Sequence, residues 1–353
     1  MENFLPLLNK LHAQGSLEKE EWCALFSQYD NDALRRTAAE MAQQITLERF
    51  GNGIFVRGII EFSNYCVNDC LYCGIRRSNK NAERYRLSEN EILECCRAGF
   101  DYGFRTFVLQ SGEDRFWSCG RLCPLVNRIK CSFPECAVTL SVGELTEKEY
   151  RQLYEAGADR YLLRHESASS EHFSMIHPVR QTLDSRMQCL RALKRVGFQT
   201  GCGFMVGTPG QTFEHLAEDM LFISEFRPHM VGIGPFIPHC ETPFGNCSAG
   251  SVELTLLLLS LCRIMFPDLL LPATTALGTL LPGGRIEGIL AGANVIMPNI
   301  SPMEIRSKYS LYNNKNSADP GNAGVLHSDL QQQLAAVGRQ IVIGRGDYGE
   351  RLC

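Results

Sequence analysis

The sequence has no apolar stretch long enough to cross a bilayer. The run Leu254–Leu259 is largely apolar but far shorter than the roughly 20 residues a spanning helix needs. It also lacks an excess of positive charge, with 35 Lys and Arg against 39 Asp and Glu and a net charge of −4, so neither nucleic acid nor an anionic membrane is an expected partner. Its start, Met1-Glu2-Asn3-Phe4, has no basic region leading into an apolar core, and no secretion signal is expected. No Pro-, Gly- and Ser-rich linker divides the chain, which at 353 residues can form one large domain or two smaller ones. Cysteine is plentiful at sixteen residues, yet none falls between Cys262 and Cys353. In a chain of this length without a leader, so many cysteines point to reduced thiols in the cytoplasm rather than to a disulfide framework.

Three of those cysteines organise the rest. Cys66-Val67-Asn68-Asp69-Cys70-Leu71-Tyr72-Cys73 follows a largely apolar run, Ile54 to Phe62, that reads as a buried strand. Thiolates spaced C-x3-C-x2-C can hold three irons of a cubane cluster and leave the fourth without a protein ligand. Ferredoxins that only move electrons supply four cysteines per cluster, so three imply an open position and a small-molecule ligand there. Tyr72, just before the third cysteine, would shield the cluster. A zinc site with a remote fourth ligand and unpaired thiols are the plainer readings, but spacing, aromatic and strand-end position together favour the cluster. The pattern resembles the signature of radical S-adenosylmethionine (SAM) enzymes. The resemblance implies one 4Fe-4S cluster held by Cys66, Cys70 and Cys73, whose open iron chelates SAM and whose electron cleaves it to a 5′-deoxyadenosyl radical.

Around this loop the chain alternates. Residues 1–50 read as a helical cap: Leu5, Leu8 and Leu11, then Trp22, Leu25 and Phe26, then Ala33 to Phe50 with few breakers. Strand-like runs begin near Ile54, Thr106, Ala137, Arg160, Thr200, Met230, Leu270 and Asn294. Between them lie amphipathic stretches such as Glu89 to Gly103, Glu147 to Ala156, Leu183 to Val196, Phe213 to Phe226 and Val252 to Met265, with Gly103, Gly157 and Gly197 as helix stops. Such alternation defines an α/β fold and suits either a doubly wound sheet or a barrel. Counting eight units favours a (β/α)8 TIM-type barrel over residues 51–300, with its site on the loops after the strands. Residues 301–353 form a C-terminal extension that packs on the barrel. In it the polar Ser307 to Asn322 reads as a surface or mobile loop, followed by a helix, Ser328 to Val337, and a strand from Gln340 to Ile343.

Polar residues at strand ends then become candidates. Gln110-Ser111-Gly112-Glu113-Asp114 follows the second strand and can meet the SAM amino group, although taken alone it reads as a simple βα turn with an acidic helix start. Thr139 and Ser141 place two hydroxyls on one face of the third strand by alternation. Arg164 and Glu166 share a face after the fourth: an Arg suits a carboxylate and a Glu suits ribose hydroxyls, although the two could simply pair with each other. His165, out of phase, is expected to meet neighbouring helices. The fifth unit, Gly201 to Thr212 with Met205, gives adenine close access to backbone, and Met230 and Ile233 could cover the base or belong to the core. Thr274 and Thr275 end the seventh strand, and Met297-Pro298-Asn299 ends the eighth.

Long segments carry a more specific likeness: Arg57 to Asn64, Val108 to Asp114, Tyr161 to Glu166, Met230 to His239 and Pro272 to Thr275. Together they resemble the HydE-type radical SAM maturases of FeFe-hydrogenase, from about residue 50 to 312. More distantly the chain is similar to biotin synthase and methylornithine synthase. The resemblance implies assembly of the hydrogenase diiron subcluster from a cysteine-bound iron carbonyl cyanide complex, a small organometallic substrate made by a partner maturase, with an electron donor also required. It implies Gln110, Thr139, Glu166 and Arg186 as SAM contacts, with Met230 near the adenine. It likewise implies Ser111, Arg164, Thr274, Thr275, Tyr309 and Tyr312 around the substrate. A mutase of the methylornithine synthase type is the alternative. Several HydE-type members hold a second cluster on three C-terminal cysteines, and the gap after Cys262 removes it here. The group Cys119, Cys123, Cys131 and Cys136 has no familiar metal spacing and reads better as free thiols.

Overall fold

In the computed structural model, residues 4–315, 321 and 323–350 are described. The tripeptide Met1–Asn3, Cys353, and residues 316–320 and 322 of the polar segment lie outside them. The first strand is built as sequence reading expects, from an apolar run, but it is broken at Arg57 into Gly53–Val56 and Gly58–Ser63. Every residue of both halves is buried, as a parallel sheet covered on both faces requires. Parallel pairing then proceeds from Gly58–Ser63 through Thr106–Ser111, Ala137–Ser141, Arg160–Leu162, Gln199–Cys202 and Met230–Val231. A bridge between Met230 and Leu270 carries the ladder to Pro272–Ala273, which pairs with Val295–Ile296. That strand pairs in turn with Phe55 and Val56, and Asn299 bridges Ile59, so the ladder returns to where it began. Eight strand positions in a ring, each followed by helix, make the TIM-type barrel.

Local chemistry sets the helix boundaries. Ser88 and Glu91 cap Glu89–Asp101 reciprocally, and Thr146 and Glu149 do the same for Glu147–Glu155. Leu183–Val196 ends on Gly197 in the left-handed conformation at φ 111°. The N-terminal helices Leu5–Gln14, Lys19–Phe26 and Asp32–Phe50 lie outside the ring against Phe213–Phe226 and Val252–Met265. They bury Leu8, Leu11, Trp22, Leu25 and Phe26 completely, at roughly 1.5–3 kcal/mol for each large apolar side chain.

The C-terminal segment closes the opposite end of the barrel from the catalytic mouth. Gln340–Val342 pairs in parallel with Gly53–Phe55. Beyond it, the Arg345 carbonyl accepts from Thr106 Oγ1 and Arg160 Nη2, and Asp347 Oδ1 accepts from Arg160 Nη2 at 2.6 Å. The helix expected from Ser328 begins earlier, at Ala323. The part of the polar segment that is described departs from a surface loop: Ser307–Lys315 folds back over the barrel mouth, with Tyr309 and Lys315 both buried. Their partners, described below, lie at the strand ends, which a local reading of polarity cannot reveal.

Candidate active site

The cysteine loop is held at the barrel mouth by backbone hydrogen bonds and by the guanidiniums of Arg76, Arg84 and Arg180. Val67 N–H donates to the Glu113 carbonyl at 3.0 Å, Leu71 N–H to Ile176 at 3.0 Å, and Gly74 N–H to Leu311 at 2.9 Å. Arg84 donates to the carbonyls of Asn64, Ile75, Arg76 and Asn79 and so spans the loop from its start to beyond the third cysteine. Asp69 anchors the interior of the loop through Arg76 Nε at 2.8 Å and Ser78 N–H at 3.0 Å. Two glycines make the packing possible. A Cβ on Gly112 would lie 2.8 Å from that of Cys66, and one on Gly74 would lie 2.1 Å from the Ser310 carbonyl oxygen.

Cys66, Cys70 and Cys73 line a cavity of about 340 Å³ that continues into the barrel mouth. Burial in protein pushes all three thiols up, Cys70 to about 12. The surroundings alone therefore do not favour thiolate, and bound iron would stabilise the ionised form as each thiol released its proton. Among the described residues no three His, Cys, Asp or Glu side chains converge as ligands of a single ion. The three loop thiols all open onto the cavity. Tyr72 turns beside them, its hydroxyl 3.1 Å from His177 Nε2 and its ring edge-on to that imidazole. Because His177 Nδ1 meets the Phe173 carbonyl at 3.0 Å, Nδ1 carries the hydrogen and Nε2 accepts from Tyr72.

Most sequence candidates meet on this cavity: Gln110, Ser111, Ser141, Arg164, Glu166, Arg186, Met205, Thr274, Thr275, Tyr309 and Tyr312 all line it. Glu166 sits past the end of its strand in the left-handed region at φ 65°, held by its N–H on the Gly203 carbonyl at 3.0 Å. It does approach Arg164, at 3.0 Å, so the pairing alternative is realised. The approach is poorly aligned, however, and Arg164 Nε and Nη2 and Glu166 Oε2 remain buried without a hydrogen-bond partner, as does Thr274 Oγ1. Four such atoms gathered on one cavity are groups that a bound ligand would complete. Arg186 is engaged by Glu144 through Nε at 2.6 Å and donates to the Arg164 carbonyl. Burial alone would lower its pKa, but Glu144 reverses that and keeps the guanidinium charged.

Two candidates lie elsewhere. Met230 is a barrel-interior residue near the floor, its sulfur 3.1 Å from Arg57 Nη1, while Arg57 Nη2 reaches the Gly346 carbonyl. Thr139 pairs in register with Arg160, one layer below Ser141, and its buried hydroxyl has no hydrogen-bond partner. Alternation puts Thr139 and Ser141 on one face, and only Ser141, at the C-terminal strand end, reaches the cavity. His165 behaves as its phase suggests, packing on Phe222 and Asp219 of Phe213–Phe226, with Nε2 3.1 Å from Asp219 Oδ1.

Sequence reasoning missed a buried ion pair on the cavity wall. Glu61 accepts from Lys315 Nζ at 2.5 Å and from Asn299 Nδ2 at 2.7 Å. The ammonium also lies 5.3 Å from the ring centre of Tyr309, whose hydroxyl is 3.5 Å from Gln110 Nε2. A carboxylate inside an otherwise apolar strand was the available signal for Glu61. Nothing in the polar run marked Lys315. The second cysteine group forms no site: Cys119 and Cys123 lie 3.4 Å apart, Cys131 is exposed, and Cys136 is buried against the Phe104 carbonyl.

A barrel mouth with three thiols from one loop, facing an unsatisfied guanidinium, carboxylate and hydroxyl, fits a 4Fe-4S cluster with SAM bound on it. The sequence model of the Radical SAM superfamily matches residues 60–223, and the protein is a radical SAM enzyme. A solved methylornithine synthase, PylB, superimposes with a TM-score of 0.82 at 26% identity, covering 95% of this chain and 97% of its own. HydG, the FeFe-hydrogenase maturase from Carboxydothermus hydrogenoformans, shares the fold with a TM-score of 0.79 at 20% identity, over 97% of this chain and 80% of its own. The [FeFe] hydrogenase maturase subunit HydE of Thermotoga maritima is 47% identical over 290 residues, 82% of this chain and 80% of that one. The chain belongs to the HydE family.

Proposed function

We propose that this protein matures FeFe-hydrogenase, acting on a small organometallic iron complex in building the diiron subcluster. The carrying observation is the 47% identity to HydE over 82% of the chain, against 28% to methylornithine synthase over 76% of it. When bound, the cluster and SAM supply a 5′-deoxyadenosyl radical. The chain's own residues hold, orient and enclose. Cys66, Cys70 and Cys73 are assigned to the cluster. Glu166 is assigned to the ribose hydroxyls, Arg186 to the neighbourhood of the methionine carboxylate, and Gln110, Ser141 and Met205 to the rest of SAM.

Beyond SAM, Ser111, Arg164, Thr274, Thr275, Tyr309 and Tyr312 are assigned to the substrate. Hydroxyls with one guanidinium suit an anionic complex carrying carboxylate and cyanide. The extension from residue 301 belongs functionally to this site, because Tyr309, Tyr312 and Lys315 cover the mouth and limit the water that would quench a radical. Partner maturases that deliver and receive the complex, an electron donor and a cytoplasmic location complete the reading. It agrees with the absence, among the described residues, of any helix long and apolar enough to cross a membrane. The test offers reduced enzyme and SAM either a cysteine-bound iron dicarbonyl cyanide complex or lysine. Consumption of the iron complex with a deoxyadenosine–sulfur adduct supports the maturase. Lysine-dependent SAM cleavage giving methylornithine, with the iron complex inert, selects the mutase instead.

A further inference from the structure

The strand end that carries Glu166 continues as a polar run, Arg164-His165-Glu166-Ser167-Ala168-Ser169, in which His165, Glu166, Ser167 and Ser169 are buried. A buried run of this kind needs partners from other segments, or its polar groups are left unpaired. One residue outside it supplies two of them. Asp219, within Phe213–Phe226 and fully buried, accepts at Oδ1 from the Ala168 N–H at 2.6 Å and from His165 Nε2 at 3.1 Å. These two donors flank Glu166, one residue before it and two after it.

The His165 ring carries this hold inward. Its Nδ1 accepts from the Gly203 N–H at 3.3 Å, so Nε2 has the hydrogen and donates to Asp219. The carbonyl of the same Gly203 accepts from the Glu166 N–H at 3.0 Å. A Cβ on Gly203 would lie 2.1 Å from the Gly232 carbonyl oxygen, so this backbone is wedged against the next unit of the barrel. Stability does not explain why the holding group is an acid. Asp219 Oδ2 is buried with no hydrogen-bond partner, burial pushes the carboxyl up from its usual range, and no Lys or Arg among the described residues pairs with it. An apolar side chain of similar volume would cost less there.

We infer that Asp219 is a positioning residue for SAM: through His165 and the Ala168 N–H it fixes the strained backbone at Glu166 and so aims that carboxylate at the ribose hydroxyls. The inference rests on the assignment of Glu166 to the ribose. Asp219 is not among the residues that line the cavity, so it acts only through the residues it holds. The positive φ of Glu166 turns the side chain out of the strand's alternation, and such a turn persists only where the surroundings impose it. Asp219 grips both sides of that turn from a helix behind the sheet.

The experiment measures dissociation constants of SAM and of its 2′-deoxyribose analogue on the anaerobic holoenzyme by equilibrium dialysis. Native protein should prefer SAM by about tenfold or more, because the analogue lacks one of the hydroxyls that the carboxylate accepts from. Asp219→Leu is similar in volume and accepts no hydrogen bond. Its preference should fall to about threefold or less, through a larger loss of SAM binding than of analogue binding, while iron content stays native. Asp219→Asn keeps an acceptor for both donors and should keep the native preference. If Asp219→Leu does not fold, His165→Phe cuts the same link while keeping a ring against Phe222, and it should show the same collapse. A native-sized preference in the variant that folds, with both ligands weakened alike, would mean a merely structural role and overturns the proposal. Equal affinity of native protein for the two ligands would instead remove Glu166 from the ribose, and the aiming role of Asp219 would fall with it.

Discussion

Glu166 is one of three described non-glycine residues with positive φ, and it stands where cavity, guanidinium and strand end meet. A residue keeps such a backbone only when its surroundings fix it, which is common where a side chain must be aimed. Glu166→Gln preserves shape and removes the charge. SAM affinity should fall tenfold or more, the range for a hydrogen bond to a charged group, while iron content stays unchanged. Equilibrium dialysis with iron analysis checks both, and native affinity in the variant would remove Glu166 from the site. The Glu61–Lys315 pair makes a different kind of prediction. Lys315→Met leaves a carboxylate that is almost fully buried with less compensation and should cost about 3 kcal/mol in unfolding of the apoprotein. Adding Glu61→Gln to that variant should recover most of the loss. If the double variant is as unstable as the single, the pair is not what holds Ser307–Lys315 down.

Among elements, the loop between the first strand and Glu89–Asp101 depends on the Arg84 side chain more than on any regular structure. Arg84→Met should raise hydrogen exchange across residues 64–79 and lower iron retained after gel filtration, while the barrel strands keep their protection. Ser170–Ile176 is tied down differently. Buried His172 places Nδ1 3.0 Å from Ser167 Oγ and Nε2 3.0 Å from Thr208 Oγ1. Burial, with a smaller contribution from His215, lowers its pKa from 6.5 to about 4. The folded value lies below the unfolded one, so this stability is present above pH 6.5 and drains away as pH falls from 6.5 toward 4. Urea unfolding of native protein and His172→Gln should therefore converge across that interval, and a constant gap would contradict the assignment.

Elements of this kind were readable from sequence where local pattern decides. Leu183–Val196, Phe213–Phe226 and Val252–Met265 begin and end as periodicity places them, and the strands starting at Thr106, Ala137, Arg160 and Met230 do likewise. How far down the barrel the cavity reaches was not readable. Thr139, Ser141 and Met230 differ in layer, which is set by register with neighbouring strands rather than by their own sequence.

At the scale of the whole molecule, the barrel floor is a network of charges shared between sequence-distant segments. Arg160, whose side chain is fully buried, meets Asp347, and Arg345 joins Asp347 to Asp159 at 2.7 Å on each side. Burial would raise the Asp347 carboxyl, but Arg345 and Arg160 outweigh it and hold it at about 2. With the folded value below the unfolded 3.8, the contribution is present above pH 3.8 and is lost as pH falls from there toward 2. Asp347→Ala strands a buried guanidinium and should destabilise the protein by about 3 kcal/mol at neutral pH. An unfolding midpoint equal to that of the native chain would show that Thr106, Gln199 and the Arg345 carbonyl suffice for Arg160.

The strand that completes this floor has a consequence for how the protein is made. Gly53–Phe55 can take Gln340–Val342 as its partner only after the chain up to Val342 has left the ribosome. Until then the first strand carries an unpaired lower edge, while the cysteine loop that follows it is already outside the exit tunnel. Tyr309, Tyr312 and Lys315, which cover the mouth, emerge late as well. The three thiols keep partial exposure in the folded barrel, so the late-made cover narrows access to them without closing it.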